Sequence, residues 1–361
     1  NFPNTLYAMT EPQTSVVELF RLSPELSKLS NADAVEAMTR RGKFGPKELA
    51  SEAEMSTTEE ATAVLVLLLT VGGPLLIVAG GIIAVALYGA RGLGWWAAIN
   101  LALAAHPAPA IVNAVGSSYI CRCLFRYFSM RIVWDGDAKD EAGRCSPFIA
   151  VSPPHGILPI ANLLSVPAVN LFSPYRFVGV AAWVVFYVPL LRLICLFGLV
   201  DASAASLERT LRAGASIGVV PDGIAGIFRA SARDEVVVLA KRKGLTKLAL
   251  RTGRPLLPCY SIGNTAVYSS WADPLGVMEK LSRKAQVALC AYWGRWLLPI
   301  PYRRPITLLV GSPIKPDPAK VGNFTAADVD ELHERLLHAV AHIFERHKAA
   351  AGQADRNLVF T

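Results

Sequence analysis

The feature that most constrains the fold is an uncharged run that begins after Glu60 and ends before Arg91. It has 30 residues, ATAVLVLLLTVGGPLLIVAGGIIAVALYGA. As one helix, the stretch from Ala61 to Gly89 would be roughly 43 Å long, whereas the hydrocarbon core of a bilayer is about 30 Å thick. Soluble cores seldom need so long a run without charges, so the segment predicts a membrane-embedded element.

A second uncharged stretch, Gly94–Ile120, follows almost at once. Trp95 and Trp96 open it, as aromatic residues at a membrane interface do. Two spans joined by the short loop RGLG predict a transmembrane helical hairpin over residues 61–120, with both ends on one side of the membrane. An alternative stays open, in which the chain breaks at Gly72-Gly73-Pro74 and forms short re-entrant legs.

Composition agrees with a basic protein at a membrane. Hydrophobic residues make up 53% of the chain and charged residues 18%, and the mean hydropathy is +0.38. Residues 1–60 hold six Lys/Arg against ten Asp/Glu and predict a polar, mobile cytosolic tail. The basic remainder suits anionic headgroups or a polyanionic ligand such as coenzyme A. No nucleic-acid motif is present, and six scattered cysteines without CxxC pairs predict reduced thiols.

From about Phe148, short apolar runs alternate with amphipathic stretches. PFIAVS, RFVGVAA, SIGVV, PLLPCYSIG and ITLLVGSPI are typical of strands, and SLERTLRAG and LTKLALRTG of helices that end at a glycine. The alternation predicts that residues 121–361 form an α/β domain, a mostly parallel sheet flanked by helices. Thr325 and Asp328 predict a capping box. An apolar helical stripe follows it, formed by Val329, Leu332, Leu336, Val340 and Ile343.

One string, VSPPHGILPI, places His155 between a predicted strand and a predicted helix. Pro153 and Pro154 make the approach rigid, and Gly156 lets a ligand or another backbone come close. Free N–H groups at a helix start suit a developing oxyanion, and a neutral imidazole suits accepting a proton from a hydroxyl. His155 is therefore either a general base or a buried histidine that satisfies backbone carbonyls.

A second loop, PDGIAGIF, follows the strand SIGVV. In a parallel sheet both loops would lie at the carboxyl ends of the strands, where ligands bind. Asp222 in this loop would either orient His155 or hold the loop in place. An ordinary Asx turn that ends at Gly223 is the alternative.

Other polar residues are weaker candidates. His338 and His342 have the i, i+4 spacing of metal ligands, but no third ligand accompanies them, so no metal site is predicted. His106 lies in the second apolar stretch, where a histidine is a functional candidate by default. Three cations before a predicted helix form a candidate phosphate seat, although such runs are often solvated: Lys241, Arg242 and Lys243.

Taken together, these strings resemble the type-2 acyl-CoA:diacylglycerol acyltransferases and their monoacylglycerol and wax-alcohol acyltransferase relatives. The resemblance runs from about Arg126 to His347, in the family's order. It consists of RYFSMRIVW, PPHGILPIANLL, PDGIAGIF, LAKRKGLTKLALRTGRPLLPCYSIGN, WGRWLLPIPYRRPITLLVGSPI and FERHK. It implies a glycerolipid-acyltransferase-like fold after a membrane hairpin. It also implies that His155 is the catalytic histidine.

The chain departs from the family's pattern at several positions. Pro153 stands at the first residue of the His-Pro-His-Gly or Glu-Pro-His-Ser motif. In the family's Pro-Gly-Gly-x-x-Glu loop, Asp222 replaces the first glycine and Gly226 the glutamate. Asp222 instead matches the glutamate of Pro-Glu-Gly in the broader glycerolipid acyltransferases, whose aspartate four residues after the histidine is Pro159 here. The resemblance therefore makes Asp222 the candidate partner of His155.

The implied reaction is acyl transfer from acyl-CoA to the hydroxyl of diacylglycerol, with His155 as base and no cofactor. The implied oxyanion site is the backbone near Gly156 and Ile157, beside the Gly223 loop. Two alternatives remain: the same chemistry on monoacylglycerol, a long-chain alcohol, phytol or a lysolipid, and an inactive membrane-anchored lipid-binding scaffold. The expected partners are acyl-CoA, the lipid acceptor and a bilayer. The expected location is the endoplasmic reticulum membrane, with the catalytic domain facing the cytosol, and lipid droplets.

Overall fold

The computed structural model describes residues 15–19, 39–42, 44, 46–105, 115–116, 118–229, 233–271, 273–285 and 287–361. The strands are β1 Ser15–Leu19, β2 Thr39–Gly42, β3 Arg131–Trp134, β4 Ile149–Val151, β5 Phe177–Ala181, β6 Leu199–Asp201, β7 Ser216–Val219, β8 Asp234–Val237, β9 Leu256–Ile262, β10 Ser269–Ser270, β11 Tyr292–Trp293, β12 Thr307–Val310 and β13 Asn357–Phe360. The helices are α1 Thr57–Thr70, α2 Gly73–Ala105, α3 Tyr119–Tyr127, α4 Ala138–Cys145, α5 Ile160–Phe172, α6 Ala204–Arg212, α7 Gly223–Ile227, α8 Gly244–Thr252, α9 Val277–Ala285 and α10 Ala326–His347.

The main sheet has nine strands in the order β2-β1-β3-β12-β9-β4-β7-β5-β6. The strands β9, β4, β7, β5 and β6 pair in parallel. β12 reverses direction against β9, and β3 then runs parallel to β12. The prediction of an α/β domain with a mostly parallel sheet is therefore confirmed.

Helices cover both faces of this sheet because successive strand residues point to opposite sides. Ile132 and Trp134 face the core built with α1, α3 and α5, whereas Val133 between them faces the core built with α6, α8 and α10. In α10 the predicted capping box of Thr325 and Asp328 is present, and the predicted apolar stripe is buried. The structure is thus a helix–sheet–helix sandwich in which loops at the sheet edge are left to form a site.

The predicted membrane segment is divided between two helices, α1 and α2. α1 packs on the domain, with Ala63 and Leu67 buried. The Arg126 guanidinium donates to Glu59 in the first turn of α1 at 2.6 Å. The chain then breaks at Gly72, near the alternative break considered above.

α2 is the one helix among the described residues that is long and apolar enough to span a membrane. It is bent at Gly89, whose φ of 60° and ψ of −145° are not helical. Trp96 Nε1 donates to the Ile77 carbonyl at 2.9 Å, although 19 residues on a straight helix would span roughly 28 Å. The two legs therefore lie side by side, each roughly 24 Å long.

The predicted transmembrane hairpin over residues 61–120 is not confirmed. The bend falls at Gly89 rather than in the loop RGLG, because Gly89 takes a positive φ that other residues resist. Residues 106–114, which include His106, lie outside the described residues. What the structure supports is one apolar helix, bent in its middle.

The described parts of residues 1–60 contact the rest of the chain. β1 and β2 pair with each other, and β1 pairs with β3 at the edge of the main sheet. Leu49 is buried, and its N–H donates to the Ala350 carbonyl at 2.8 Å. The Leu49 contact spans about 300 residues of sequence and the pairing of β1 with β3 more than 100, and a local composition argument does not see partners at such separations.

Candidate active site

Two strand ends create the site. β4 and β7 are parallel neighbours, with Val151 paired to Val219, and the Ser152 N–H donates to the Val219 carbonyl at 2.9 Å. The loops that carry His155 and Asp222 therefore leave the same edge of the sheet from adjacent strands. The rule that loops at the carboxyl ends of parallel strands come together holds for this pair.

The Asp222 carboxylate contacts the backbone of His155 and not its ring. The Oδ2 atom accepts the His155 backbone N–H at 2.8 Å. The His155 ring instead has its Nδ1 2.9 Å from the carbonyl oxygen of Gly156. Because a carbonyl can only accept, Nδ1 carries a proton in this arrangement, and in the neutral imidazole Nε2 would then hold the lone pair. In this arrangement the carboxylate is bonded to the backbone of the loop.

Asp222 is an acid buried without full compensation. It is fully buried, and its Oδ1 has no hydrogen-bond partner within the described parts of the chain. Burial raises the pKa of Asp222, and the charges of His155 and Arg242 oppose this rise only in part. The ionised form of Asp222 therefore lowers the free energy of unfolding. Ionisable groups that are destabilised in this way are common at functional sites.

The two departures at positions 222 and 226 are geometrically linked. A Cβ at Gly226 would lie 2.3 Å from Asp222 Oδ2 and 2.7 Å from its Cγ. The carboxylate therefore occupies the space of a side chain at position 226. An aspartate at position 222 in this orientation requires glycine at position 226, and the sequence has that combination.

The loop after His155 presents backbone amides. Gly156 has a φ of +59°, and a Cβ there would come within 3.0 Å of Asn264 atoms. Among the described residues, the amides of Gly156 and Ile157 have no protein acceptor. Gly223 also has a positive φ, and its α-carbon faces Arg242 Nη1, 3.5 Å from where a Cβ would be.

The structure separates the three cations predicted to bind phosphate. Arg242 lies at the site, where its Nη1 donates to the Pro221 carbonyl at 2.9 Å. Lys243 forms an ion pair with Asp330 at 2.6 Å, and Lys241 is exposed. Their segment is held by α10, because His333 Nε2 lies 3.1 Å from the carbonyls of residues 239 and 240.

His338 and His342 lie exposed on α10, and no group of three potential metal ligands occurs among the described residues. All six cysteines are free thiols.

Two further polar residues are buried, one in the turn after β9 and one on β8. Asn264, which follows β9, is fully buried, and its side chain forms hydrogen bonds with the His155 loop and with the start of α5. Glu235 on β8 is buried and accepts hydrogen bonds from Tyr260 at 3.0 Å and from Arg356 at 3.1 Å. Burial raises the pKa of Glu235. A glutamate in a short strand is too common to be singled out from sequence. The sequence around Gly263, which includes Asn264, shows only a departure from the Glu-Asn-Asp/Glu pattern of the family that it resembles.

Residues 96–361, well over half of the chain, match the family model described as diacylglycerol acyltransferase. The protein is thus an acyltransferase that acts on glycerolipids. It belongs to the diacylglycerol acyltransferase family.

Individual relatives are distant. The chain is 26% identical over 252 residues to bovine diacylglycerol O-acyltransferase 2-like protein 6, covering 63% of this chain and 73% of that protein. It is 28% identical over 253 residues to human 2-acylglycerol O-acyltransferase 3, covering 64% and 72%. It is 29% identical over 228 residues to human diacylglycerol O-acyltransferase 2, covering 57% and 58%.

Among solved structures, the 1-acyl-sn-glycerophosphate acyltransferase PlsC of Thermotoga maritima matches at 16% identity with a TM-score of 0.38. The match covers 75% of this chain and 95% of that one. A similarity of this degree identifies no shared site residues.

Proposed function

We propose that this protein transfers an acyl group from acyl-CoA to the free hydroxyl of diacylglycerol, giving triacylglycerol. The observation that carries the proposal is the state of His155. Its Nδ1–H is donated to the Gly156 carbonyl, so that Nε2 is left as the basic atom at the edge of the sheet. A base with its proton on the other nitrogen is what alcohol activation needs.

The proposed reaction proceeds in two steps. Nε2 of His155 takes the proton of the acceptor hydroxyl while the hydroxyl oxygen forms a bond to the thioester carbonyl carbon. The carbon–sulfur bond then breaks, and the departing coenzyme A sulfur takes the proton from the imidazolium. A thioester is already activated, so these steps require neither a metal nor a covalent enzyme intermediate.

The groups around His155 would lower the activation free energy of this reaction. The unpaired amides of Gly156 and Ile157 are available to the oxyanion, and such donors are typically worth about 10²–10³ in kcat. The buried Asp222 carboxylate would stabilise the imidazolium that forms. Arg242 and the exposed Lys241 would bind coenzyme A phosphates, with Lys243 engaged by Asp330 until the ligand arrives.

We further infer that the reaction takes place at a membrane. The bent helix α2 exposes large apolar side chains such as Leu87 and Ile82, each 66% exposed, and Trp95, 74% exposed. Contiguous apolar surface of this kind is stable against lipid and costly in water. The proposed location is the endoplasmic reticulum membrane, with the domain in the cytosol, where free thiols persist and lipid droplets form.

A second acceptor has a specific observation in its favour. The similarity to human 2-acylglycerol O-acyltransferase 3 is of the same degree as that to human diacylglycerol O-acyltransferase 2. Monoacylglycerol is therefore the competing acceptor.

The test uses the full chain in liposomes with labelled oleoyl-CoA and equal amounts of diacylglycerol, monoacylglycerol and a long-chain alcohol. We expect triacylglycerol as the main product and a loss of about 10³-fold or more in His155→Ala, because the general base is removed. Product from monoacylglycerol or the alcohol alone would replace the proposed acceptor. Full activity of His155→Ala would refute the proposed mechanism, and no transfer to any acceptor would favour a lipid-binding scaffold.

A further inference from the structure

We propose that Asn264 is a positioning residue that holds the catalytic loop by its carbonyl oxygens and thereby aims His155. The inference rests on the proposed role of His155 as base. It concerns the acyl transfer itself, and it assigns a role to a residue that touches neither substrate in the proposed reaction.

Asn264 lies at the end of β9, in a turn that its backbone makes rigid. Gly263 before it has a φ of +88°, and a Cβ there would lie 2.2 Å from the Pro305 carbonyl oxygen. The turn therefore accepts only glycine at position 263 and cannot shift toward β12. The Asn264 side chain is directed from this turn into the His155 loop, where it is fully buried.

The Asn264 side-chain amide forms hydrogen bonds with several backbone groups of the His155 loop. Its Nδ2 lies 2.8 Å from the His155 carbonyl oxygen, 3.2 Å from that of Leu158 and 3.3 Å from that of Pro154. Its Oδ1 accepts the N–H of Ala161 at 3.1 Å, in the first turn of α5. Helix N-termini leave such amides without intrahelical partners, so the bond also caps α5.

The loop needs an external partner because of its own sequence. Pro153, Pro154 and Pro159 have no N–H group, so the loop has few donors with which to bind its own carbonyls. A buried carbonyl left without a donor costs about 1–3 kcal/mol. The two N–H groups of Asn264 Nδ2 lie within hydrogen-bonding distance of three of these carbonyls, so one N–H is shared between two of them.

Both backbone polar groups of His155, the N–H and the carbonyl, form hydrogen bonds with side chains. These side chains come from the segments that follow β7 and β9, the two strands on either side of β4. Asp222, after β7, accepts the His155 N–H, and Asn264, after β9, donates to the His155 carbonyl. The ring is in turn oriented by the next carbonyl, that of Gly156. Loss of either clamp would let the peptide between residues 155 and 156 rotate, and Nε2 would move with it. A displacement of about 1 Å at a reacting atom can cost about 10²-fold in rate.

The test compares Asn264→Asp with a matched control, Asn170→Asp. The aspartate at position 264 keeps the shape and the acceptor for the Ala161 N–H but lacks the NH₂ donors. Asn170 makes the same kind of contact at the other end of α5. Its Nδ2 donates to the carbonyls of Val166 and Phe177 at 2.7 and 2.6 Å, and its Oδ1 accepts the Phe177 N–H at 3.1 Å.

We expect kcat for acyl transfer to fall about 10²-fold in Asn264→Asp with the KM for acyl-CoA unchanged. Asn170→Asp, with a similar loss of thermal stability, should keep kcat within about twofold of the parent. Because Asn264 would act through His155, adding Asn264→Asp to His155→Ala should reduce the residual rate no further. This non-additivity would not arise from general destabilisation.

Two outcomes would overturn the inference. One is a kcat for folded Asn264→Asp as high as that of Asn170→Asp, and the other is a full additional loss in the double variant. If Asn264→Asp fails to fold, Asn264→Ser is measured in its place with the same comparisons. The proposed function fails separately, through retained activity in His155→Ala alone.

Discussion

Gly226→Ala tests how the Asp222 carboxylate is accommodated beside His155. The added methyl would lie 2.3 Å from Asp222 Oδ2, the atom that accepts the His155 N–H at 2.8 Å. At that distance the carboxylate must rotate away, because the methyl group is fixed to the backbone of α7. The hydrogen bond that holds the His155 loop is then lost.

The expected cost follows from these contacts. Overpacking a fitted site costs about 1–3 kcal/mol, and a buried amide without a partner costs a comparable amount. Both arise from one displacement, so we expect a net destabilisation of about 1–3 kcal/mol rather than their sum. Without a clash, alanine in place of glycine in a helix would stabilise by about 1 kcal/mol. The sign of the change is therefore diagnostic.

The assay is thermal unfolding of the purified full chain, together with kcat for acyl transfer. Each kcal/mol should shift the Tm by roughly 2–4 °C. Gly143→Ala in α4 is the control, because a Cβ there meets nothing within 4 Å. In the Asp222→Gly background the space is vacant, so Gly226→Ala should no longer destabilise. The reasoning is refuted if Gly226→Ala behaves like Gly143→Ala in both stability and kcat.

Two further predictions concern the charges at the site. Burial raises the pKa of Asp222, so its contribution to stability falls as the pH rises from the ordinary carboxyl range through the raised value. Asp222→Asn keeps an acceptor for the backbone N–H, so its stability should increase relative to the parent across that pH range. Its kcat should fall about tenfold, because the negative charge beside His155 is lost. A folded variant with the kcat of the parent would contradict this prediction. Among the cations, Lys241→Ala should raise the KM for acyl-CoA about tenfold, and Arg242→Ala should lower kcat as well, because Arg242 also binds the Pro221 carbonyl. Lys243→Ala should change KM and kcat least, because Lys243 already forms an ion pair with Asp330. Equal effects of the three alanine variants would instead indicate a diffuse basic surface.

Several elements followed from local pattern alone. The strands and helices from β4 to β12 that the sequence predicted alternate as expected, since apolar periodicity reflects which side of each element faces a core. The capping box depends only on hydrogen bonds between Thr325 and Asp328, three residues apart, and the structure confirms it. The strands β6, β8 and β13 have no recognisable sequence pattern because they are short, and β8 includes the charged pair Asp234 and Glu235.

The membrane segment shows where composition is ambiguous. The apolar residues of α1 are equally suited to lipid and to a protein core, and the structure packs them against α3. The bend at Gly89 was not predicted either, because a glycine can continue a helix or interrupt it. Only the contact between Trp96 and Ile77 decides between these possibilities.

The sequence by itself determined the α/β class, the family and the two loops that meet at the edge of the sheet, because periodicity, turn residues and motif order are local properties. Only the tertiary structure decided which atoms meet there. The Asp222 carboxylate reaches a backbone N–H 67 residues away rather than a ring, and Asn264 reaches a carbonyl 109 residues away. Contacts over such separations depend on strand order and register, which are set by the packing of the whole sheet and not by any single segment.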